Sequence, residues 1–534
     1  MKLNKLIYVV PLAILVIVVG SGCRKGQFNI NKNINNPTDS TVTYDVVLPA
    51  AMNSSGSIIA RSWGPIQNWM GYWSRSGTYA PNVIEETYQI TTGFGNGIWN
   101  NCYDNNYDYQ IIQTKAAQAG AGFYEGIARI MKAQNFQILV DVYGNVPYTE
   151  ALKGSTNPTP KYDKGIDIYK ALFRQIDAGL DLINAAVVTT SNANKNIATN
   201  DIMFGGNKAN WNKFGNTLKL RMLIHCYAVA GIDKAAELAI INTNGNGFLT
   251  ADASVNPGYS GNDKPNPFWN QYITNTDGSG SANNIYYAAN KWGHDYYDYN
   301  GDPRNSQHVV YTNGGGGVPY GTPPIAIYAS ANVSHIGVGV YKSATARQQI
   351  ITATESYFLQ AEAIQRGFLP GGPATAAARM IDGINASYAY YGVTGATAAG
   401  LIAGNATWPD VDPNGTVKFA GGPGGGLYTI LSQKWFALNG VNTLEIWTDW
   451  RRVPYTDVAT KMSSGANAST TNFVYGDGSF YAPGPARSVS PQITPADQIP
   501  VRYLYPQTEY NYNTANVSAE GTVTRYSRVF WDLN

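Results

Sequence analysis

Four stretches of the chain space their apolar residues three and four positions apart. Ile127, Ile130, Met131, Ile138 and Val142 form one stripe, and Ile168, Leu172, Ile176, Leu180 and Ile183 a second. Trp211, Phe214, Leu218, Met222 and Val229 form a third, and Ile350, Ala353, Tyr357, Ala361 and Ile364 a fourth. This spacing puts the apolar side chains on one face of an α-helix, and such a face is buried by packing on another element. The expected architecture is therefore helix on helix. Two long regions, about 250–345 and about 455–500, are rich in Gly, Asn, Pro, Ser and Tyr and carry no helical period. Irregular segments of that length in a folded chain usually do something specific. No fixed internal repeat is evident, although paired helices of this size can stack as a degenerate solenoid.

The start of the chain reads as a processing signal. Lys2 and Lys5 precede an apolar run from Leu6 to Val19, closed by Gly20-Ser21-Gly22-Cys23. A basic region, an apolar core and small residues predict an export signal over 1–22. The apolar core is shorter than the roughly 20 residues that span a bilayer. A Cys directly after small residues resembles a bacterial lipobox, which makes Cys23 the expected lipidation site, carrying palmitate-type acyl chains as the first residue of the mature protein. The Asn-rich stretch 23–42 reads as a tether, and 43–534 as a single folded domain. Cys102 and Cys226 are then the remaining cysteines, and two buried thiols are favoured over one bridge.

Composition narrows the function. The 534 residues carry 37 Lys+Arg against 35 Asp+Glu, with charged residues at 13% of the chain, about half the roughly 25% of an average soluble domain. Removing 1–22 removes two lysines and no acid, so the expected mature body is formally neutral. No basic run of five or more occurs, which excludes a general binder of nucleic-acid backbone. The abundant residue is Tyr, 38 in all, with 12 Trp and 56 Gly. Flat amphipathic rings beside neutral polar groups suit a neutral, hydroxyl-rich ligand.

Signatures of catalysis are absent: there is no HExxH, GxSxG, GxxxxGK[ST] or GxGxxG. Of the four histidines, His225 lies in an apolar helical stretch, where a satisfied core residue is expected, and His294, His308 and His335 lie in loops without ligand spacing. The acidic stretch Asp295–Asp302 half resembles a calcium loop, but its frame puts Tyr296 and Gln307 at ligand positions, so a turn is expected and a structural calcium stays an open alternative to no cofactor. Aromatic clusters carry more signal. Trp63, Trp69, Tyr72, Trp73 and Tyr79 are interleaved with Arg61, Arg75, Gln67, Asn68 and Asn82; a second cluster is Phe268, Trp269 and Tyr272; a third is Tyr286, Tyr287, Trp292, Tyr296 and Tyr297. Rings stack on the apolar face of a sugar while amides and guanidinium groups bind its hydroxyls. The candidate ligand residues are Tyr72, Trp73, Arg75, Tyr79, Trp269, Trp292 and Tyr296.

Several segments then carry a family resemblance. Asn135-Phe-Gln-Ile-Leu-Val-Asp141-Val-Tyr143-Gly144-Asn145-Val-Pro147-Tyr148-Thr-Glu150-Ala151-Leu152 resembles the D-x-Y-G-x-V-P-Y-x-E-A segment of SusD/RagB-type outer-membrane lipoproteins. Glu355–Ala363, Gln433–Trp435 through Glu445–Arg452, and Arg502–Pro506 through Glu509 and Asn513 match in the same order. The resemblance implies a mostly α fold of four tetratricopeptide-like helix pairs, with loop regions building the ligand side. These loop-rich parts would fall at about 50–97, 250–345 and 455–500, and the scaffold mainly at about 98–240, 345–455 and the C-terminal part. It also implies a SusC-like TonB-dependent barrel as partner, closed by the lipoprotein during import of oligosaccharide or, in RagB-like relatives, peptide. The motifs themselves read as structural: Gly144 as a helix stop with positive φ, and Glu445, Asp449, Arg451 and Arg452 beside Trp447 and Trp450 as an internal ion-pair and cation–π cluster.

The leading expectation is a non-catalytic nutrient-binding lipoprotein anchored in the outer membrane and facing the cell exterior. A RagB-like peptide binder and a lipid-anchored glycoside hydrolase are the competitors, since facing carboxylates are not readable from sequence.

Overall fold

The stripes fold into helical hairpins in a computed structural model, which describes residues 42–61, 63–261, 263–299, 301–306, 311–312, 315–404, 425–453, 488–494 and 496–533. The export signal, Cys23, nearly all of the tether, His308 and the larger part of 455–500 lie outside the described residues. The long helices are α1 (Tyr44–Arg61), α2 (Asn96–Ala119), α3 (Gly122–Tyr143), α4 (Gly165–Ala185), α5 (Lys208–His225), α6 (Lys234–Asn244), α7 (Ala353–Gln365), α8 (Pro373–Tyr391), α9 (Gly425–Leu438) and α10 (Thr443–Arg452). Consecutive helices pair as α2/α3, α4/α5, α7/α8 and α9/α10, and neighbouring pairs meet through α3 on α4 and α5 on α7. Residues from Tyr44 onward cluster as one unit. No helix among the described residues is long and apolar enough to cross a membrane.

Local chemistry sets the element ends. Thr352 accepts from the Glu355 amide at 3.2 Å and caps α7. Ile350, expected on that helix, therefore sits in a strand just before the cap. The α5 helix stops at His225, so Val229 lies beyond the stripe to which its spacing assigned it. The third correction is α1, which fills part of the region expected to be loop-rich from about residue 50. Its buried Leu48, Ala51, Met52, Ser55, Ile58 and Ile59 keep helical spacing behind a disguise of Ser, Gly and Pro49.

Helices α3 and α4 cross at two glycines. A Cβ on Gly126 would lie 2.4 Å from the Gly179 carbonyl oxygen, and one on Gly179 would lie 2.8 Å from that of Gly126. Absent side chains are what let these backbones touch.

Strands are short and antiparallel: β1 (Trp73–Arg75), β2 (Val146–Pro147), β3 (Tyr162–Asp163), β4 (Ala253–Val255), β5 (Tyr287–Ala289), β6 (Tyr311–Thr312), β7 (His335–Ile336) and β8 (Gln348–Ile351). They pair as β1 with β5, β2 with β3, β4 with β8 and β6 with β7. The β4–β8 pair closes the neck of the long insert between them. That insert is largely irregular, as its composition predicts, with short helices at Pro267–Tyr272, Ala282–Tyr286, Lys291–Tyr299 and Val338–Tyr341.

A network of charged side chains is buried in the core. His225 places Nε2 2.9 Å from Glu445 and Nδ1 3.2 Å from Asp141. Arg221 binds Glu355 and lies 3.4 Å from Glu445, while Lys434 bonds Asp449 at 2.9 Å. Arg452 grips Glu362 through two bonds of 2.6 and 2.7 Å and also reaches Asp449. Arg451 stacks 3.5 Å over Trp447 and 4.6 Å over Trp531, the expected ion-pair and cation–π cluster. Gly144 takes φ +80, and the two outer family motifs meet there: Arg502 donates to the Tyr143 carbonyl, and the Tyr503 amide to Val142 at 2.9 Å. Cys102 and Cys226 are buried free thiols, and burial pushes both up in pKa.

Two measurements test this packing. Gly126→Ala should force α3 and α4 apart and destabilise the protein by about 1–3 kcal/mol, read as a lower denaturant midpoint; an unchanged midpoint would refute the crossing. Burial alone would lower the His225 pKa, but Glu445 and Asp141 outweigh it and raise it to about 9. Because that lies above the unfolded value of about 6.5, the stabilisation is complete below pH 6.5 and is lost as pH rises through 9. Unfolding free energy should fall across that window, and His225→Gln should flatten the fall.

Candidate functional site

The chain between α1 and α2 and the long insert form one loop assembly. Strand β1 pairs with β5 in the register Trp73–Ala289, Ser74–Ala288, Arg75–Tyr287. The Ser76 amide then bonds the Tyr286 carbonyl at 2.8 Å and the Gly77 amide that of Tyr328 at 2.6 Å. A Cβ on Gly77 would lie 2.8 Å from the Ile325 carbonyl oxygen and 2.9 Å from that of Tyr328, so only glycine lets the two loops approach.

Arg75 is the centre of this assembly. Its guanidinium pairs with Glu86 at 2.6 Å and donates to the carbonyls of Tyr79 at 2.5 Å and Thr322 at 2.6 Å. Next to it, Glu85 accepts from Asn68 at 2.5 Å and from Asn82 at 3.1 Å, and its backbone carbonyl accepts from Tyr320 at 2.9 Å. Burial pushes the Glu85 carboxyl up to about 7, with the Glu86 charge adding to the rise against the Asn68 and Tyr320 bonds. Both carboxylates are buried and bonded, so neither is presented to a ligand as an acid or nucleophile.

The candidate residues separate by burial. Tyr72, Trp73 and Tyr296 are fully buried and Arg75 nearly so. Tyr72 stacks on Trp435 at 4.6 Å and donates to its carbonyl at 2.7 Å. Trp73 is enclosed by Phe268, Tyr272 and Tyr287 at 5.2–6.3 Å, and Tyr296 lies against Phe436 at 4.6 Å. These candidate rings meet other rings inside the protein and are not open to a ligand. Tyr79, Trp269 and Trp292 are half-buried. They are not one cluster: Trp269 packs edge-on to Tyr341 at 5.5 Å, Trp292 on Trp435 at 5.2 Å, and Tyr79 on Tyr286 at 5.2 Å.

The Tyr79–Tyr286 pair marks a patch that the sequence only partly announced. Half-buried Tyr328 lies beside it through the Gly77 contact. Around these rings Ile285, Ile325 and Ile327 are 51%, 51% and 65% exposed, and the amides of Asn82, Asn284 and Asn332 are on the surface. The missed signal was Ile325-Ala-Ile327-Tyr328 after two prolines, an apolar cluster inside a loop with no helical period to bury it. Half-open rings beside amides can stack on an apolar ligand face and bind hydroxyl or carbonyl groups around it.

The acidic stretch is not the expected turn. Residues 291–299 are helical, Asp295 pairs with Lys291 at 2.6 Å, Asp298 lies 3.3 Å from His294 and Asp302 pairs with Arg304 at 2.6 Å. Its carboxylates thus lie against Lys291, His294 and Arg304, and no metal-type cluster occurs among the described residues.

With this geometry established, comparison with known proteins places the chain. The profile of a SusD-like family, described as starch-binding and associating with the outer membrane, matches residues 37–474. The chain belongs to this family. A chitin-binding SusD homologue from Flavobacterium johnsoniae aligns over 92% of this chain and 99% of its own, with a TM-score of 0.66 and 22% identity. A SusD homologue from Bacteroides fragilis aligns over 92% and 99%, with a TM-score of 0.66 and 18% identity. One from Bacteroides uniformis aligns over 91% and 99%, at 0.66 and 22%. No curated protein sequence matches. The shared fold is the mostly helical one described above, with tetratricopeptide-like pairs.

Arg75→Leu should leave Glu86 buried without its cation and cost about 3–5 kcal/mol. Because the Tyr79 and Thr322 carbonyls lose the same donor, proteolysis under native conditions should begin within 315–330; a protease-resistant variant of normal stability would refute this role.

Proposed function

We propose that the protein is a non-catalytic binding lipoprotein, anchored to the outer membrane through Cys23 and facing the exterior, which captures oligosaccharide for a SusC-like TonB-dependent transporter. The observation that carries the reading is the half-open Tyr79–Tyr286 pair with Tyr328 and surface amides, mounted on loops that Arg75 ties together. Family membership and the printed starch- and chitin-binding descriptions of relatives support carbohydrate as the ligand class. Trp269 and Trp292, half-buried elsewhere in the long insert, are further candidates for ligand contact, while Arg75 ties the loops of the patch together and Tyr72, Trp73 and Tyr296 pack inside the protein. The closure of Glu85 and Glu86 weighs against a glycoside hydrolase at this patch.

One observation favours peptide as the alternative ligand: Ile285, Ile325 and Ile327 expose aliphatic surface that a peptide side chain would cover. Calorimetry of the purified protein against neutral oligosaccharides and mixed peptides separates the readings. Oligosaccharide should bind, and Tyr286→Ala should weaken it about tenfold, as loss of a central aromatic contact does. Tight peptide binding with indifference to every glycan would overturn the substrate class. Release of reducing ends would overturn the non-catalytic reading.

A further inference from the structure

We infer that Asn82 fixes the hydrogen-bonding sense of the ligand patch, so that the Tyr286 hydroxyl donates to an acceptor oxygen of the sugar, and that buried Glu85 is the positioning residue that holds Asn82. The inference rests on the reading that the Tyr79–Tyr286 patch binds oligosaccharide. It deepens that reading by naming the kind of group the patch selects and the residue behind the selection.

Tyr286 is held at three points. Its carbonyl accepts from the Ser76 amide at 2.8 Å, and its ring lies 5.2 Å from Tyr79 and 4.9 Å from Tyr287. The third hold is at the hydroxyl, which is hydrogen-bonded by the Asn82 side chain. Burial raises the Tyr286 pKa and this bond opposes the rise, which makes the Asn82 amide its donor. With its oxygen accepting from below, the phenol keeps its own O–H to give away. The ligand group it meets is therefore an acceptor oxygen.

Asn82 is exposed, yet its amide is not free to turn. Its oxygen caps the short helix Val83–Glu86 by accepting the Glu85 amide at 3.5 Å. Its nitrogen donates to Glu85 Oε2 at 3.1 Å, and its backbone N–H lies 3.4 Å from Glu86 Oε1. A side-chain amide nitrogen carries two N–H groups, one here for the carboxylate and one for the phenol. The carboxylate decides which way the amide faces. Without an acceptor at Oε2 the amide can invert and offer its oxygen to Tyr286, whose O–H would then point inward and be lost to the ligand.

Glu85 can act on that amide through protonation. Its Oε1 accepts from Asn68 at 2.5 Å and lies 3.5 Å from the Tyr320 hydroxyl, so a proton taken up goes to Oε2, the oxygen that Asn82 needs. Arg75 and Glu86 also face Glu85 and pair with each other at 2.6 Å. The phenols in electrostatic reach are Tyr286, Tyr287, Tyr320 and Tyr503, and burial pushes all four up, so they stay neutral around pH 7. Burial brings Glu85 itself to about 7, which places its change of state within reach of an ordinary pH series.

Calorimetry of the purified protein with chitohexaose and maltoheptaose, neither of which titrates, tests the relay. Affinity for the sugar that binds should rise about threefold to tenfold from pH 6 to pH 8, the scale of one hydrogen bond. Tyr286→Phe removes the hydroxyl, and Glu85→Gln puts an amide where Asn82 needs an acceptor. Each should weaken binding at pH 8 by that amount and flatten the profile. Asn82→Ser, which keeps a capping oxygen but no amide donor, should do the same at normal thermal stability. In a Tyr286→Phe background, Glu85→Gln should cost nothing further, because both changes break one chain of contacts. Additive losses overturn the inference, as does a flat profile in the unaltered protein or a profile that persists in Tyr286→Phe. If Glu85→Gln does not fold, Asn82→Ser paired with Tyr286→Phe decides by the same rule. Binding that survives Tyr286→Ala, or no binding of either sugar, sinks the patch reading and this inference with it. Binding lost in Tyr286→Ala with additive pairs overturns the inference alone.

Discussion

Glu445, held between His225 and Arg221 where α5 and α10 meet, is the contact on which the scaffold depends. A lone carboxylate at that depth would cost several kcal/mol, so it is tolerable only because cations from another helix surround it. The same two cations reach on to Asp141 on α3 and Glu355 on α7. One desolvated charge therefore sets the mutual position of four helices. Apolar stripes alone allow a hairpin to slide or rotate by a turn with little loss, whereas a buried ion network has few arrangements in which every charge is met. Arg452, shared by Glu362 and Asp449, ties α7 to α10 in the same way.

The end of α9 shows how the scaffold reaches the loops. The last carbonyls of a helix have no partner within it. Tyr72 donates to the carbonyl of Trp435, Tyr297 to that of Phe436 and Tyr391 to that of Ala437, each within 3.0 Å. Tyr72 comes from the loop before α2 and Tyr297 from the long insert. The loop assembly is thus bonded to the backbone of the scaffold by phenols whose rings fill the space between. Closing the insert at β4–β8 and bridging it with Arg75 finishes the job, and a surface patch built from irregular chain acquires a fixed geometry.

Much of this was legible in the sequence and some was not, for physical reasons. Helical period identified α3, α4, α5 and α7 because each buries a face, and Gly and Pro marked the irregular insert because they disfavour both regular structures. Periodicity is silent where burial is complete. Helix α5 buries Lys219, Arg221 and His225 along with its apolar residues, so its stripe understated it. Ring exposure was the least legible quantity. Trp73 and Trp292 have similar Gly- and Asn-rich neighbours in sequence, yet one is enclosed and the other half-open, because enclosure comes from residues two hundred positions away. Ile325 and Ile327 carried the opposite information, being apolar in a segment with nowhere to bury them.

The abundance of Tyr changes meaning in the same light. A ring-rich, nearly neutral chain reads first as a ring-rich surface. Many of the phenols instead serve the interior, where a buried hydroxyl donates to an orphaned carbonyl and the ring supplies packing, a pairing no aliphatic residue can make. Much of the charge is likewise turned inward, as the Glu445 and Arg452 networks show. A surface short of fixed charge binds through what remains, so the few open rings at Tyr79 and Tyr286 weigh more than their number.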